Sequence, residues 1–245
     1  QAQAKLVARG YRVEARLEER TVAEVQRFLD DAIALLHPLY AAVSLPSSFR
    51  YPDDSPRGTL LREAVLPACR SHNLPFAMMV GVRRAVNPAL REAGDGVGYA
   101  DIQALERICA DFPDNRFLLT VLSRENQHEL CVAARKFRNL MPFGCWWFLN
   151  NPSIVAEITA ERLEMLGSSF IPQHSDARIL EQLIYKWRHS RRVLAGALAD
   201  AYTALLADGR PVTAADISRD VRRLLSDNFR EYVGLETGAA FQGVA

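Results

Sequence analysis

The chain has 245 residues, 49% hydrophobic and 24% charged, the balance of a globular protein long enough for one barrel domain or two smaller units. With 30 basic and 29 acidic residues the net charge is +1, which excludes a whole-chain electrostatic footprint for nucleic acid or an anionic membrane; no apolar run approaches the ~20 residues of a membrane span and no secretory leader is expected. Cys69, Cys109, Cys131 and Cys145 are far apart and form no Cys-x-x-Cys pair, so free buried thiols in a reducing, cytoplasmic setting are expected.

Thr21-Val-Ala-Glu24 reads as a capping box, and Val22, Val25, Phe28, Leu29, Ala32, Ile33 and Leu36 recur at helical spacing until Pro38. Tyr40 to Leu45 is a short apolar run, and a polar, turn-rich stretch leads from it to a helix over Thr59 to Ser71. The same unit recurs: a strand over Pro75 to Val82 with a helix over Tyr99 to Asp111, and a strand over Phe117 to Leu122 with a helix over Arg124 to Phe137. Leu140 to Trp147 is followed by a helix that Asn151 caps, with Pro152 in its first turn, and Ser169 to Ser175 is the last strand. Beyond Arg178 the pattern is helical over Ile179 to His189, Val193 to Ala207 and onward from Thr213, whose Thr-x-x-Asp216 box marks a start.

Short buried strands alternating with helices predict a parallel sheet of the α/β class. Five strands do not close a (β/α)8 barrel, which needs eight with matched tilt and shear. Residues 1–178 are therefore read as the last five β/α units, strands four to eight, of a TIM barrel, preceded by a helical segment, with 179–245 as C-terminal helices packed on it. The chain opens on Gln1, and the missing strands are expected from an absent amino-terminal segment or from a partner in a homo-oligomer that covers the open sheet edges.

In such a sheet the groups that do chemistry sit just past the carboxyl ends of the strands. The fourth strand ends in Gly144-Cys-Trp146-Trp147-Phe148, and the fifth in His174-Ser-Asp176-Ala-Arg178. If that last strand stays regular, Phe170, Pro172, His174 and Asp176 share one face, and a carboxylate there needs a cation, either an arginine or a metal; a helix-capping role is the alternative. Arg178 has the planar fork that grips a carboxylate at two points, unless it is a surface ion-pair residue. Trp146 and Trp147 point to opposite sides of an extended strand, so one indole faces the pocket and the other packs. Arg83, Arg84, Arg124 and Asn126 follow other strands and would rim the same mouth, making it locally positive and suited to an acidic sugar, although loop arginines are commonly just solvated. His174 would be a partner of Asp176 or a satisfied core histidine; His37, His72, His128 and His189 look peripheral.

These runs resemble the uronate isomerase (glucuronate isomerase) family of the amidohydrolase superfamily, whose last two barrel strands end in Gly-x-Trp-Trp-Phe and, further along, Asp-x-Arg. The likeness extends from about Leu74 to Tyr232 and includes the Leu-Pro-Phe strand leading to Gly81, Leu122-Ser-Arg124-Glu-Asn126 and Asn228-Phe-Arg-Glu-Tyr232. The resemblance implies a hexuronate substrate, D-glucuronate or D-galacturonate, and a divalent metal, zinc by preference. Asp176 would be a metal ligand and proton-transfer group, Arg178 would lie near the substrate and Trp146 would be the pocket tryptophan. The remaining metal ligands would lie outside this chain. Two departures stand out: Met79-Val80-Gly81 occupies the place of a family His-x-Gly, and no His-x-His occurs anywhere in the chain. A metal-dependent hydrolase and a non-catalytic barrel that binds a sugar acid or serves in an assembly are the competing readings, the latter supported by Met79.

Overall fold

Four short, largely apolar strands set the architecture. The computed structural model describes residues 2–174, 176–177 and 179–237. Strands β1 (Ala41–Pro46), β2 (Phe76–Arg83), β4 (Phe117–Val121) and β5 (Leu140–Pro142) lie parallel and adjacent in that order. A two-residue β3 (Gly96–Val97) pairs antiparallel with the end of β2. Helices α1 (Ala2–Val7) and α2 (Glu19–Leu36) precede the sheet. Between β1 and β2 run α3 (Pro56–Leu60) and α4 (Leu66–Ser71), joined by a π-helical turn. Helix α5 (Ile102–Asp111) crosses to β4, α6 (Gln127–Ala134) crosses to β5, and α7 (Pro152–Leu166) follows β5. Helices α8 (Leu180–Ala207), α9 (Ala214–Arg222) and α10 (Asn228–Tyr232) end the described chain.

One face of the sheet presents Phe76, Met78 and Val80 from β2 and Phe117, Leu119 and Val121 from β4 to the crossover helices, where Leu66, Leu105, Ile108 and Leu130 close the core. The alternate residues Ala77 and Leu118 face the other way and pack with Phe143, Ile171, Phe229 and Tyr232. Burial on both faces is why β4 reads as an unbroken apolar run rather than an alternation. At full exposure each such Leu or Phe would forfeit about 1.5–3 kcal/mol of transfer free energy. Helix α10 plugs the amino-terminal end of the strands. The Tyr232 hydroxyl accepts from Phe117 N–H and lies 2.7 Å from the Asn139 carbonyl, while Asn228 Nδ2 donates to the Phe170 carbonyl at 2.8 Å. The i, i+4 spacing of Asn228 and Tyr232 brings both to that contact.

Several boundaries differ from the sequence expectation, each for a local reason. Helix α2 starts at Glu19, two residues before Thr21. Instead of capping, the Thr21 hydroxyl accepts from Glu14 N–H and Glu24 binds Arg12 N–H and Arg27. The expected helices over Ile179 to His189 and Val193 to Ala207 are one helix, α8, because Ser190-Arg-Arg contains neither Gly nor Pro to break it. Strand β5 stops at Pro142, and the strand expected over Ser169 to Ser175 is reduced, among the described residues, to a parallel bridge between Phe143 and Ile171. Pro142 and Pro172 each remove a ladder donor there. The Thr213–Asp216 box and the Asn151 cap with Pro152 form as read. No helix among the described residues is long and apolar enough to cross a membrane.

Candidate functional site

Past the carboxyl ends of the parallel strands lies a cavity of about 520 Å³ whose wall includes Ser44, Met79, Val82, Arg84, Trp146, Trp147, Asn150, Asp176, Gln182, Tyr185 and Lys186. Met79 and Val82 come from β2, and Arg84 follows it. The tryptophans follow β5, where the chain leaves the sheet. Trp146 is buried beside Val82 and Leu122. Trp147 begins a 3₁₀ turn with φ 44° and stacks on Phe148 at 4.5 Å between ring centroids. A tryptophan in the left-handed region is a costly backbone state that persists only where its surroundings impose it. Because of this turn, both indoles reach the cavity instead of pointing to opposite sides of a strand.

Asp176 also has a left-handed backbone, φ 36°, and is exposed on the cavity wall. It faces the cavity, but exposed rather than partly desolvated as expected of a regular strand, since the chain is irregular after Ile171. The Asp176 carbonyl accepts from Lys186 Nζ at 2.9 Å. Lys186 shares one face of α8 with Gln182 and Tyr185 through i, i+3, i+4 spacing. These three were not singled out in the sequence. That spacing directly after a strand end is the signal that would have found them.

The other expected site residues are distributed as follows. Arg84 pairs with Asp95, whose carboxyl is held below its ordinary range first by Ala85 N–H and then by Arg84. Arg83, at the end of β2, is exposed and is not among the cavity residues. Arg124 is ion-paired to Glu157 of α7 at 2.9 Å, on the helical side and away from the cavity, because it opens a helical turn that turns it toward α7. Asn126 is buried and ties Ala100 to the start of α6 by accepting from Ala100 N–H at 2.8 Å. Arg178 lies outside the described residues.

His174 is the most displaced from expectation. Its ring stacks on Phe143 at 4.7 Å in a separate cavity of about 350 Å³ that also includes Tyr40, Trp187 and Phe229. The residue as a whole is half-buried, and its Nε2 is enclosed and meets no hydrogen-bond partner among the described residues. Burial lowers its pKa to about 4, outweighing the raising effect of the Asp176 carboxylate. The ring is therefore neutral at pH 7. As pH falls below the ordinary value near 6.5, the unfolded chain takes up a proton that the folded chain refuses until about 4, so stability falls across that window. We expect this group to remove roughly 1–3 kcal/mol between pH 7 and pH 4. His174→Phe, which keeps the stacked ring, should lose correspondingly less in urea unfolding over the same range; an equal loss would mean that another group titrates.

Among the described residues Asp176 is the one carboxylate, imidazole or thiol on the cavity wall, and nowhere among them do three or more His, Cys, Asp or Glu side chains gather as a metal-ligating group. The thioether of Met79 is a poor ligand for a hard cation. These residues do not by themselves fit a metal centre. What the wall does combine is a cationic side, Lys186 and Arg84, with indole faces, amides and one carboxylate, a set suited to an anionic, hydroxyl-rich molecule.

No protein-family model and no curated protein matches the chain. Among solved structures, it is similar to a uronate isomerase from Bacillus halodurans at 53% identity and a TM-score of 0.93, over 96% of this chain and 56% of that one. A uronate isomerase from Thermotoga maritima (14% identity, TM-score 0.79, 95% of this chain and 57% of that one) and a glucuronate isomerase from Caulobacter crescentus (16%, 0.70, 91% and 57%) share the fold. The chain thus spans a little over half the length of each of these proteins. Its resemblance to the Bacillus halodurans protein is a likeness of sequence as well as fold, to part of that protein's length.

Proposed function

We propose that this chain, similar over nearly its whole length to part of a uronate isomerase, carries the sugar-acid cavity of an aldose–ketose isomerase acting on a hexuronate such as D-glucuronate or D-galacturonate. The observation that carries the reading is the cavity at the carboxyl ends of the parallel strands, where Trp146, Trp147, Asp176, Arg84 and Lys186 meet, in a chain 53% identical to a uronate isomerase. The reaction moves a proton from C2 to C1 through an enediol: the C2–H bond breaks toward a base, a C1–H bond forms, and the proton of the C2 hydroxyl is exchanged for one on the C1 oxygen. Asp176 is the base that takes and returns the carbon-bound proton. Lys186 and Arg84, joined by Arg178, supply the positive side for the substrate carboxylate, and Trp146 covers the sugar and keeps water from the enediol.

The unbroken parallel order β1, β2, β4, β5 and the bridge to Ile171 support the reading of these strands as the last five of a (β/α)8 barrel. Its other strands, and any further metal ligands, would come from chain beyond these 245 residues or from a second copy. Met79 on the cavity wall favours a second reading, a barrel that binds the sugar acid without turning it over.

Glucuronate, galacturonate and neutral glucose offered to the full-length protein in D2O separate the two. Ketose formation with deuterium entering at C1 or C2, for a uronate and not for glucose, is the expected result. Saturable binding of a uronate without exchange would replace isomerisation by the binding-only reading, and neither binding nor exchange would overturn both.

A further inference from the structure

We propose that Arg162 is a positioning residue for the tryptophan wall of the cavity, acting from behind through the Gly144 carbonyl. Arg162 projects from α7 and is 1% exposed. Its Nη1 donates to the Gly144 carbonyl at 3.0 Å and its Nη2 to Gln127 Oε1 at 3.1 Å. Gln127 Nε2 in turn donates to the carbonyls of Val121 and Ser123, at the end of β4, at 3.3 and 3.1 Å. On the other side of the same turn Cys145 N–H donates to Gln173 Oε1 at 3.3 Å, and Gln173 Nε2 donates to Asn150 Oδ1 of the cavity wall at 3.1 Å. The Gly144–Cys145 peptide, which delivers Trp146, is therefore held from both sides.

Both acceptors of Arg162 are neutral oxygens rather than carboxylates, and its Nε meets no acceptor among the described residues. A guanidinium buried on such terms is a net cost to folding compared with an apolar side chain of the same volume. What it supplies is geometry: one planar fork spans the Gly144 carbonyl just past β5 and the Gln127 side chain at the start of α6, which is itself tied to the end of β4, a span the single nitrogen of lysine does not reproduce.

In its activity arm the proposal rests on the isomerase reading above, so the test has a second arm that does not. In the full-length protein the indole N–H resonance of Trp146, assigned by Trp146→Phe, is followed in Arg162→Met and in the milder Arg162→Lys, beside thermal unfolding and uronate turnover. Either variant that folds should shift or broaden that resonance and lower kcat/KM roughly tenfold to a hundredfold, the scale of a small misplacement at a reacting centre. A lowered melting temperature with the Trp146 resonance and kcat/KM unchanged in the folded protein would make Arg162 a structural residue only and overturn the proposal. If the wild type shows no turnover, the isomerase reading fails, and the resonance alone decides for or against Arg162.

Discussion

Gly144→Ala is expected to destabilise the protein by about 2–5 kcal/mol, the combined scale of a left-handed backbone penalty and an overpacked core. Gly144 has φ 71°, and a Cβ placed on it would lie 2.2 Å from His174 Cδ2 and 2.7 Å from the His174 backbone nitrogen. The first contact can yield by moving the imidazole off Phe143, but the second is backbone and cannot yield without displacing the segment that follows Ile171. Gly209, just past the end of α8, provides the contrast: it too has a positive φ, 79°, but nothing lies within 4 Å of its added Cβ. Gly209→Ala should therefore show the conformational part alone, about 1–2 kcal/mol. Urea unfolding of the two variants and of Gly144→Ala/His174→Ala would separate the terms, with the double variant recovering only the side-chain share. A Gly144→Ala cost no larger than that of Gly209→Ala would refute the packing argument. Against a total stability of roughly 5–15 kcal/mol, the expected loss would leave little margin. The damage also falls two residues from Trp146.

The sheet was legible in the sequence because β1, β2 and β4 are short apolar runs between turn-rich segments, and β2 and β4 are buried on both faces. Their order followed from helix-length spacers. What failed was extrapolation of regular geometry into proline-bearing ends. Past Pro142 and Pro172 the period of two breaks down, so His174 and Asp176, expected on one face, separate into different cavities. Trp147 reaches the cavity through a positive φ that no pattern announces. Arg124 and Asn126 follow a strand as the rim residues were expected to, yet a single helical turn directs Arg124 to Glu157, and Asn126 to Ala100. Lys186, Tyr185 and Gln182 went unread because the helix bearing them was read only as packing on the barrel. Their role depends on where α8 docks, which is a tertiary fact.

Asp176→Asn is expected to lower kcat for a hexuronate by roughly a hundredfold to ten-thousandfold, the range that a positioned general base supplies, while KM moves much less. The substitution keeps the shape of the side chain and removes only its basicity and charge. Asp176 stands exposed on the cavity wall, and its backbone carbonyl, not its carboxylate, accepts from Lys186 at 2.9 Å, so the fold should tolerate the change within about 0.5 kcal/mol. Lost turnover with an unchanged melting temperature therefore points to chemistry rather than folding. The sharper readout is exchange: if the carboxylate carries the proton between C2 and C1, the variant should lose deuterium incorporation from D2O in parallel with ketose formation. Retention of exchange with loss of ketose would place Asp176 after proton abstraction, and a kcat within about fivefold of wild type would remove it from the proton path. Lys186→Met tests the support rather than the base. Without the ammonium group at its carbonyl, the left-handed Asp176 loses one of the contacts that hold it, and kcat should fall by less than in Asp176→Asn, since the base itself is still present.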